Sequence, residues 1–208
     1  MISYIKGTLE RRAESYIIIE TGGIGYRIFV SPATLAKLPQ TGAEAKVYTY
    51  FSVKEDGMSL YGFSSVEEQE MFNKLLTVSG VGPKGALGFL SVMKPSEIVM
   101  AILSDDVKTL SKAPGVGRKT ANLVVGDVYG KPAVVTDTHF IRIVNRLGLT
   151  EKSEPFSVEK ELRSLLDPDE SNDFCHRTVL HGRAVCTARR AFCEKCVLSE
   201  ICKKVNVK

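Results

Sequence analysis

The sequence predicts an α+β protein in which a small barrel of five short strands precedes an entirely helical remainder. Residues before 64 show the composition and turn spacing of strands, and residues after 64 show apolar side chains at helical spacing. In addition, four of the five cysteines lie in the last 23 residues, which predicts a metal-binding loop at the end of the helical part.

Five segments before residue 64 are rich in Ile, Val, Tyr and Phe and are separated by turn residues, so each is predicted to be a strand. They are Ile2–Leu9, Tyr16–Glu20, Tyr26–Val30, Ala45–Val53 and Met58–Tyr61. A short helix over Pro32–Leu38 is predicted to interrupt them. Five short strands in about 60 residues favour a closed barrel of the OB type.

A helical pattern begins after Ser65, which is predicted to cap a helix over Val66–Thr77. Two similar segments follow, with VSGVG over 78–82 and APGVG over 113–117, 35 residues later. Each segment fits a tight glycine turn between two helices. The sequence therefore predicts a tandem helix-hairpin-helix region.

Each Gly-x-Gly hairpin would expose backbone N–H groups at the positive end of the following helix, where a phosphate oxygen can bind. Such a contact reads no base edge, so it is independent of nucleotide sequence. Basic residues follow both hairpins, and double-stranded DNA is the predicted partner. The candidate DNA-binding residues here are Gly80, Gly82, Lys84, Gly115, Gly117 and Arg118.

The clustered cysteines have the spacing C-x6-C-x2-C-x5-C, formed by Cys186, Cys193, Cys196 and Cys202. One tight pair flanked by two wider gaps favours a single 4Fe-4S cluster, with a zinc ion or disulfides as the alternatives. Cys175 lies outside this spacing and is predicted to be a core residue.

Composition limits the class of protein. With 208 residues, 44% hydrophobic and 25% charged, the chain can form one domain of ordinary size or two small ones. No apolar run approaches 18 residues and no signal-peptide pattern begins the chain, so we expect a cytoplasmic protein without a membrane partner. The net charge of +4 lies entirely after residue 112.

Residues 1–121 resemble the RuvA family of Holliday-junction-binding subunits, through MISYIKGTLE, GGIGYRIFV, VKEDGMSLYGF, LLTVSGVGPKGAL and AILSDDVKTLSKAPGVGRKTA. The resemblance implies that Glu55 and Asp56 form an acidic pin at the centre of a four-way junction, whose arms are held by the hairpins. It also implies that this part can form a homo-oligomer. The family's third domain, which contacts RuvB, has no counterpart in the sequence, so a RuvB contact is not expected.

Residues 114–208 resemble the endonuclease III family, through PGVGRKTANLVV, VVTDTHFIRIVNRLGL and VLHGRAVCTARRAFCEKCVLSEIC. The resemblance implies a DNA glycosylase/AP lyase that acts on oxidised pyrimidines or abasic sites, with Lys119 as Schiff-base nucleophile and Asp137 as its carboxylate partner. Alternatively, Lys119 is only a phosphate contact and Asp137 only caps a helix over Thr138–Leu147. Basic residues of the cysteine region are further candidates for DNA contacts: Arg183, Arg189 and Arg190.

These resemblances overlap only in Pro114–Ala121, so the chain looks like a RuvA front joined to an endonuclease III back at a shared hairpin. Three domains are predicted: a barrel over 1–63, a tandem hairpin region over 64–130 and a catalytic and 4Fe-4S domain over 131–208. Two functional hypotheses follow, a DNA-repair lyase fused to a junction-binding front and a non-enzymatic junction-binding protein.

Overall fold

The structure is a computed structural model that describes residues 2–55 and 57–207, apart from the side chain of Tyr129. The chain forms two compact units, Met1–Thr120 and Ala121–Lys208. The finer three-part division stays a prediction. Among the described residues no single helix has the length and apolar character to cross a membrane. The helices Pro83–Val92 and Pro95–Leu103, which are bent by 95° relative to each other, reach that length and composition only when they are counted as a pair.

The first unit begins with a closed five-stranded barrel of strand order β1-β2-β3-β5-β4, which confirms the predicted barrel. All neighbouring strands are antiparallel except β3 and β5, which are parallel. The strands are β1 (Tyr4–Arg12), β2 (Tyr16–Thr21), β3 (Ile24–Val30), β4 (Glu44–Lys54) and β5 (Gly57–Phe63).

The third strand starts earlier than the sequence predicted because the turn before it is very short. Gly22 and Gly23 both have positive φ, of 62° and 79°, which lets a two-residue hairpin turn match the twist of its strands. Pairing therefore continues to the last possible residues, with Thr21 opposite Ile24. Aliphatic residues from all strands fill the barrel, and Leu9, Ile17 and Val47 are among those with no exposed surface.

A buried carboxylate links the first two helices. Helix α1 (Pro32–Lys37) begins at Ser31, and α2 (Val66–Leu76) begins at Ser65, whose hydroxyl accepts the N–H of Glu68 at 3.3 Å, as predicted. The Glu68 carboxylate is buried, accepts the Thr34 hydroxyl at 2.9 Å and pairs with the Lys37 ammonium at 2.7 Å. Burial alone would raise the pKa of Glu68, but these partners and Ser64 lower it.

The remaining helices of the first unit carry the two hairpins. Helix α2 ends one residue before the predicted Thr77, which is its C-cap. The helices that follow are α3 (Pro83–Val92), α4 (Pro95–Leu103), the short α5 (Val107–Leu110) and α6 (Arg118–Tyr129), whose first turn belongs to this unit. This arrangement confirms the predicted helix-hairpin-helix region.

The second unit is helical. It contains the rest of α6, then α7 (Thr138–Leu147), α8 (Pro155–Leu165) and α9 (Ser171–Ala184), with short 3-10 turns over Pro168–Glu170 and Cys193–Lys195. Helix α7 has the bounds that the sequence predicted and ends at Gly148, which has the left-handed φ of 77° that suits a C-terminal glycine. Phe140, Ile143 and Val144 are buried on its inner face.

Candidate nucleic-acid interface

The two hairpins of the first unit have the same backbone turn. In the first, the N–H of Val81 donates to the carbonyl of Val78 at 3.0 Å, and in the second the N–H of Val116 donates to the carbonyl of Ala113 at 3.0 Å. The third residue of each turn is a glycine in the left-handed region, Gly80 with φ 84° and Gly115 with φ 76°. Glycine is the residue that adopts this conformation without strain.

Each turn is anchored by buried aliphatic residues and ends in an exposed glycine. The anchors are Val78, Val81, Ala113 and Val116, each at most 7% exposed. A Cβ added to Gly82 or Gly117 would meet no atom within 4 Å. The backbone of each hairpin therefore faces open space at the point where the next helix starts and its first N–H groups have no intrahelical partner.

The two hairpins differ in the residues that start the following helix. Helix α3 starts with Pro83, which lacks an N–H, and brings exposed Lys84 to the second position. Helix α6 starts with Arg118 and Lys119, both exposed. The second hairpin thus offers one more backbone donor and one more cation than the first.

A close backbone contact sets the spacing of the hairpins within the first unit. Gly88 of α3 packs against the second hairpin, and a Cβ added there would lie 2.6 Å from the carbonyl oxygen of Pro114. No side chain fits at that distance. The glycine therefore allows α3 to approach the second turn directly.

We expect Gly88→Ala to lower the free energy of unfolding by about 2 kcal/mol, because the backbone of one element must move. The matched control is Gly85→Ala in the same helix, where the nearest atom lies 3.8 Å from the added Cβ. That change should raise the free energy of unfolding by about 0.5 kcal/mol through helix propensity. Denaturant titration of both variants measures the difference, and equal stabilities would contradict the packing contact.

Asp137, the predicted carboxylate, lies at the start of α7. It is 9% exposed, and its Oδ1 accepts the N–H of Phe140 at 2.7 Å, so the predicted capping role is confirmed. Lys119 belongs to the first unit and Asp137 to the second. The catalytic role of the pair stays a prediction.

Asp137 ends a segment, residues 131–137, that belongs to no helix or strand. Side chains satisfy its backbone: the Asn122 amide donates to the carbonyl of Val134 at 3.3 Å, and the Asn172 amide donates to the carbonyl of Lys131 at 2.9 Å. The N–H of Val135 donates to the sulfur of Cys175 at 3.3 Å.

Cys175 is 2% exposed, which confirms it as a core residue. Burial raises the pKa of its thiol to about 11, so it remains protonated. Sequence reasoning missed the two asparagines, because a buried amide has no periodic signature until its partner is known.

The four clustered cysteines line one small cavity of about 20 Å³ in the second unit, together with Arg146 and His181. The Arg146 guanidinium donates to the sulfur of Cys186 at 3.1 Å, and the N–H of Lys204 donates to the sulfur of Cys202 at 3.3 Å. Nε2 of His181 lies 3.4 Å from the sulfur of Cys196.

Within the described part of the chain no three His, Cys, Asp or Glu side chains are grouped closely enough to hold one metal ion, and all five cysteines are free thiols. The 4Fe-4S assignment stays a prediction.

The basic residues of the cysteine region are on the surface. Arg183, Arg189 and Arg190 are all exposed. Arg190 lies 3.9 Å from the Glu194 carboxylate and 4.8 Å from the centre of the Phe192 ring, so part of its charge is already engaged. A phosphate contact by these residues stays a prediction.

The predicted acidic pin falls at the turn between β4 and β5. Glu55 is exposed at this turn, whereas Asp56 lies outside the described residues. The strands below it pair as far as Lys54 opposite Gly57. Immediately beneath the turn, Val53 is 64% exposed and Met58 is 73% exposed, and the two residues face each other across the strands.

Together, the barrel and the duplicated hairpin define a barrel and helix-hairpin-helix protein. The family model "RuvA N terminal domain" matches residues 1–62, and the model "SAM-like Helix-hairpin-helix tandem" matches residues 72–125. The chain belongs to the RuvA family. The resemblance of residues 1–121 is thereby confirmed.

Several curated relatives are named "Holliday junction branch migration complex subunit RuvA". The one from Ruminiclostridium cellulolyticum is 49% identical over 131 residues, which are 63% of this chain and 66% of the relative. The one from Bacillus velezensis is 42% identical over 154 residues, 74% of this chain and 75% of the relative. The chain thus spans about two thirds of the length of the first relatives.

Solved structures of endonuclease III are also similar to the chain. A trapped covalent endonuclease III–DNA intermediate is 28% identical with a TM-score of 0.45, and the match covers 66% of this chain and 65% of the endonuclease chain. A non-covalent endonuclease III–DNA complex is 28% identical with a TM-score of 0.46, and the match covers 66% of this chain and 64% of the endonuclease chain.

Proposed function

We propose that the protein binds four-way DNA junctions through the phosphate backbone of their arms. The observation that carries this proposal is the duplicated hairpin, in which two identical turns present exposed backbone N–H groups at helix starts. Two such sites, fixed to each other through Gly88, match a ligand with repeated phosphates. The relatives named after the Holliday junction support the choice of a branched rather than a linear ligand.

The charges around the hairpins support the same proposal. Lys84, Arg118 and Lys119 are exposed beside them and would each neutralise a phosphate. Glu55 at the β4–β5 turn would instead repel phosphates and favour a ligand whose strands separate at the centre. A linear duplex has no such opening, so the acidic turn disfavours it.

A competition gel-shift experiment at moderate salt tests this function. A labelled four-way junction is displaced by unlabelled junction or by unlabelled linear duplex that contains the same arm sequences. We expect the duplex to compete much more weakly than the junction. Equal competition by both would exclude the proposed function.

A second candidate function is that of an AP lyase, with glycosylase activity on oxidised pyrimidines. It is favoured by the place of Lys119 in the first turn of α6, two residues after the exposed glycine that would hold the phosphate of the same nucleotide. The amine would attack C1′ of an abasic sugar to form a Schiff base with loss of water. Transfer of the C2′ proton to a base would then form a double bond between C2′ and C3′ and expel the 3′ phosphate together with its oxygen.

Asp137 would support this chemistry as a carboxylate. It is buried at a helix start and accepts a backbone N–H, and both features fix its orientation. A fixed carboxylate can accept a proton from the lysine or stabilise the positive charge of the sugar.

We further propose that Cys186, Cys193, Cys196 and Cys202 hold one 4Fe-4S cluster. Their shared cavity and the hydrogen bonds to their sulfur atoms support this assignment. When bound, the cluster would cross-link the loop between α9 and the end of the chain. Arg146 would then neutralise part of the negative charge of the thiolates.

Iron and acid-labile sulfide, measured on anaerobically purified protein, test the cluster assignment. We expect equal amounts of both in the parent, and a loss of most of both in Cys196→Ser. The matched control Cys175→Ala removes a cysteine outside the cavity and should retain the iron. Zinc in place of iron, or equal iron in both variants, would contradict the assignment.

A further inference from the structure

The barrel has an opening where β3 and β5 separate. These parallel strands pair over only three residues each, Ile28–Val30 with Leu60–Gly62. Before this stretch the facing edges of the two strands are not paired with each other in the described residues. A cavity of about 470 Å³ lies there, lined by Arg27, Phe29, Phe51, Met58, Ser59 and Leu60.

Four of the six residues that line this cavity are apolar, and three of these four pack against the barrel core or a neighbouring ring. Phe29 packs against Tyr61 with ring centres 5.7 Å apart, Leu60 is buried in the barrel and Phe51 packs against the same core. Met58 stands at the mouth and is 73% exposed. The volume lies within the usual range for a small-molecule site, and two aromatic walls suit a flat ligand.

Two arginines lie near the ring of Tyr16, and one of them, Arg27, also lines the cavity. The Arg27 guanidinium lies 5.7 Å from the centre of the Tyr16 ring, and the Arg11 guanidinium lies 5.8 Å from the same centre. Within the described residues neither arginine has an acidic partner within 4 Å, and no acidic side chain lines the cavity. The site therefore favours a ligand that combines a flat apolar group with a nearby negative charge.

We propose that this cavity binds one unstacked nucleobase, with the adjoining phosphate on Arg27. A nucleotide of single-stranded DNA supplies both the flat group and the charge, and aromatic side chains are the usual platforms for unstacked bases. A duplex keeps its bases paired and cannot enter. The unpaired edges of β3 and β5 provide backbone donors and acceptors for the edge of the base.

This inference deepens the proposed junction binding, because strands that separate at a crossover release such bases. The cavity borders the β4–β5 turn: Met58 lines it and follows Gly57, the first residue of β5 after that turn. The acidic turn would part the strands, and the cavity would receive a base that leaves the stack. The acidic turn and the cavity are therefore neighbours at the start of β5.

Binding of the whole protein to a short oligothymidylate tests the base site without a junction. The comparison ligand is an abasic oligomer of the same length and charge in which tetrahydrofuran replaces each sugar, so that it has no C1′ hydroxyl for Lys119 to displace. We expect the oligothymidylate to bind at least about tenfold more tightly, since stacking of one base on aromatic residues has an effect of that order. Equal affinity for the two oligomers would overturn the proposal.

Substitution of Met58, at the mouth of the cavity, tests whether the base binds there. Met58→Gln keeps the length of an exposed side chain, and should weaken oligothymidylate binding about threefold while leaving the abasic oligomer unchanged. Met100→Gln, at a methionine of α4 that is 63% exposed and does not line the cavity, is the matched control and should change neither. Equal weakening of both oligomers by Met58→Gln would mean that no base is bound.

Photo-crosslinking gives an independent measurement. An oligonucleotide with one 5-iodouracil should form a covalent bond to the peptide that contains Phe29, Phe51 or Met58, and a bond elsewhere would overturn the proposal. The two proposals fail separately: if the duplex competes as well as the junction while oligothymidylate still binds preferentially, only junction binding is wrong. If the junction is bound in preference to the duplex while the oligothymidylate and the abasic oligomer bind equally, only the base site is wrong.

Discussion

Replacing both exposed hairpin glycines by aspartate, Gly82→Asp with Gly117→Asp, is expected to weaken junction binding by at least about a hundredfold. Each aspartate would place a negative charge where we propose that a phosphate binds, and would compete for the same N–H groups. Hydrogen bonds to a charged group contribute about 1.5–3 kcal/mol each, and two sites are lost together. A gel-shift titration with a labelled four-way junction measures the loss.

The fold should tolerate these two changes. Neither glycine has a positive φ, and a Cβ at either position meets no atom within 4 Å. Gly82 is also the N-cap of α3, a position where aspartate is among the preferred residues. The thermal midpoint of the double variant should therefore equal or exceed that of the parent.

A charge-matched control separates local contact from net charge. Ala36→Asp with Gln40→Asp adds the same two charges at exposed positions outside both hairpins. This control should weaken binding only slightly, by general repulsion that salt screens. If the control loses as much affinity as the hairpin variant, the hairpins are not the phosphate sites.

The second large effect concerns Lys119. We expect Lys119→Gln to abolish borohydride trapping on a duplex with an abasic site, because glutamine has no amine to form the reducible Schiff base. The parent should give a covalent protein–DNA adduct that is visible on a denaturing gel. An adduct of equal yield from Lys119→Gln, or none from the parent, would exclude the lyase function.

The duplication of the hairpin provides a matched control for that experiment. Lys84 follows Gly82 by two residues, as Lys119 follows Gly117, so each lysine has the same position relative to its hairpin. Lys84→Gln and Lys119→Gln should each lower the salt dependence of DNA binding by about one phosphate contact. Only Lys119→Gln should also lose the covalent adduct.

Much of the first unit could be predicted from its sequence because its signals are local. Alternating strand residues, a capping serine at 65 and two Gly-x-Gly turns each specify a structure within a few residues. Strand bounds differed by a few residues where pairing continues to the end of a tight turn, as between Thr21 and Ile24. Pairing of this kind depends on the partner strand as well as on local composition.

Long-range polar contacts could not be predicted. The buried Glu68 carboxylate contacts Thr34 and Lys37, which lie more than thirty residues away in sequence. Asn122 and Asn172 hold the segment that precedes Asp137 through contacts over 12 and 41 residues. The opening between β3 and β5 depends on strand divergence, which no single segment encodes.

Amide hydrogen exchange on the junction complex tests most directly whether both hairpins bind phosphate. We expect slower exchange over 80–85 and over 115–120 when a four-way junction is added, because the same type of turn starts each helix. Two junctions with unrelated arm sequences should give the same pattern, since no base edge is read at these turns. Slower exchange at neither hairpin, at only one of them, or with only one of the two sequences would contradict the proposed interface.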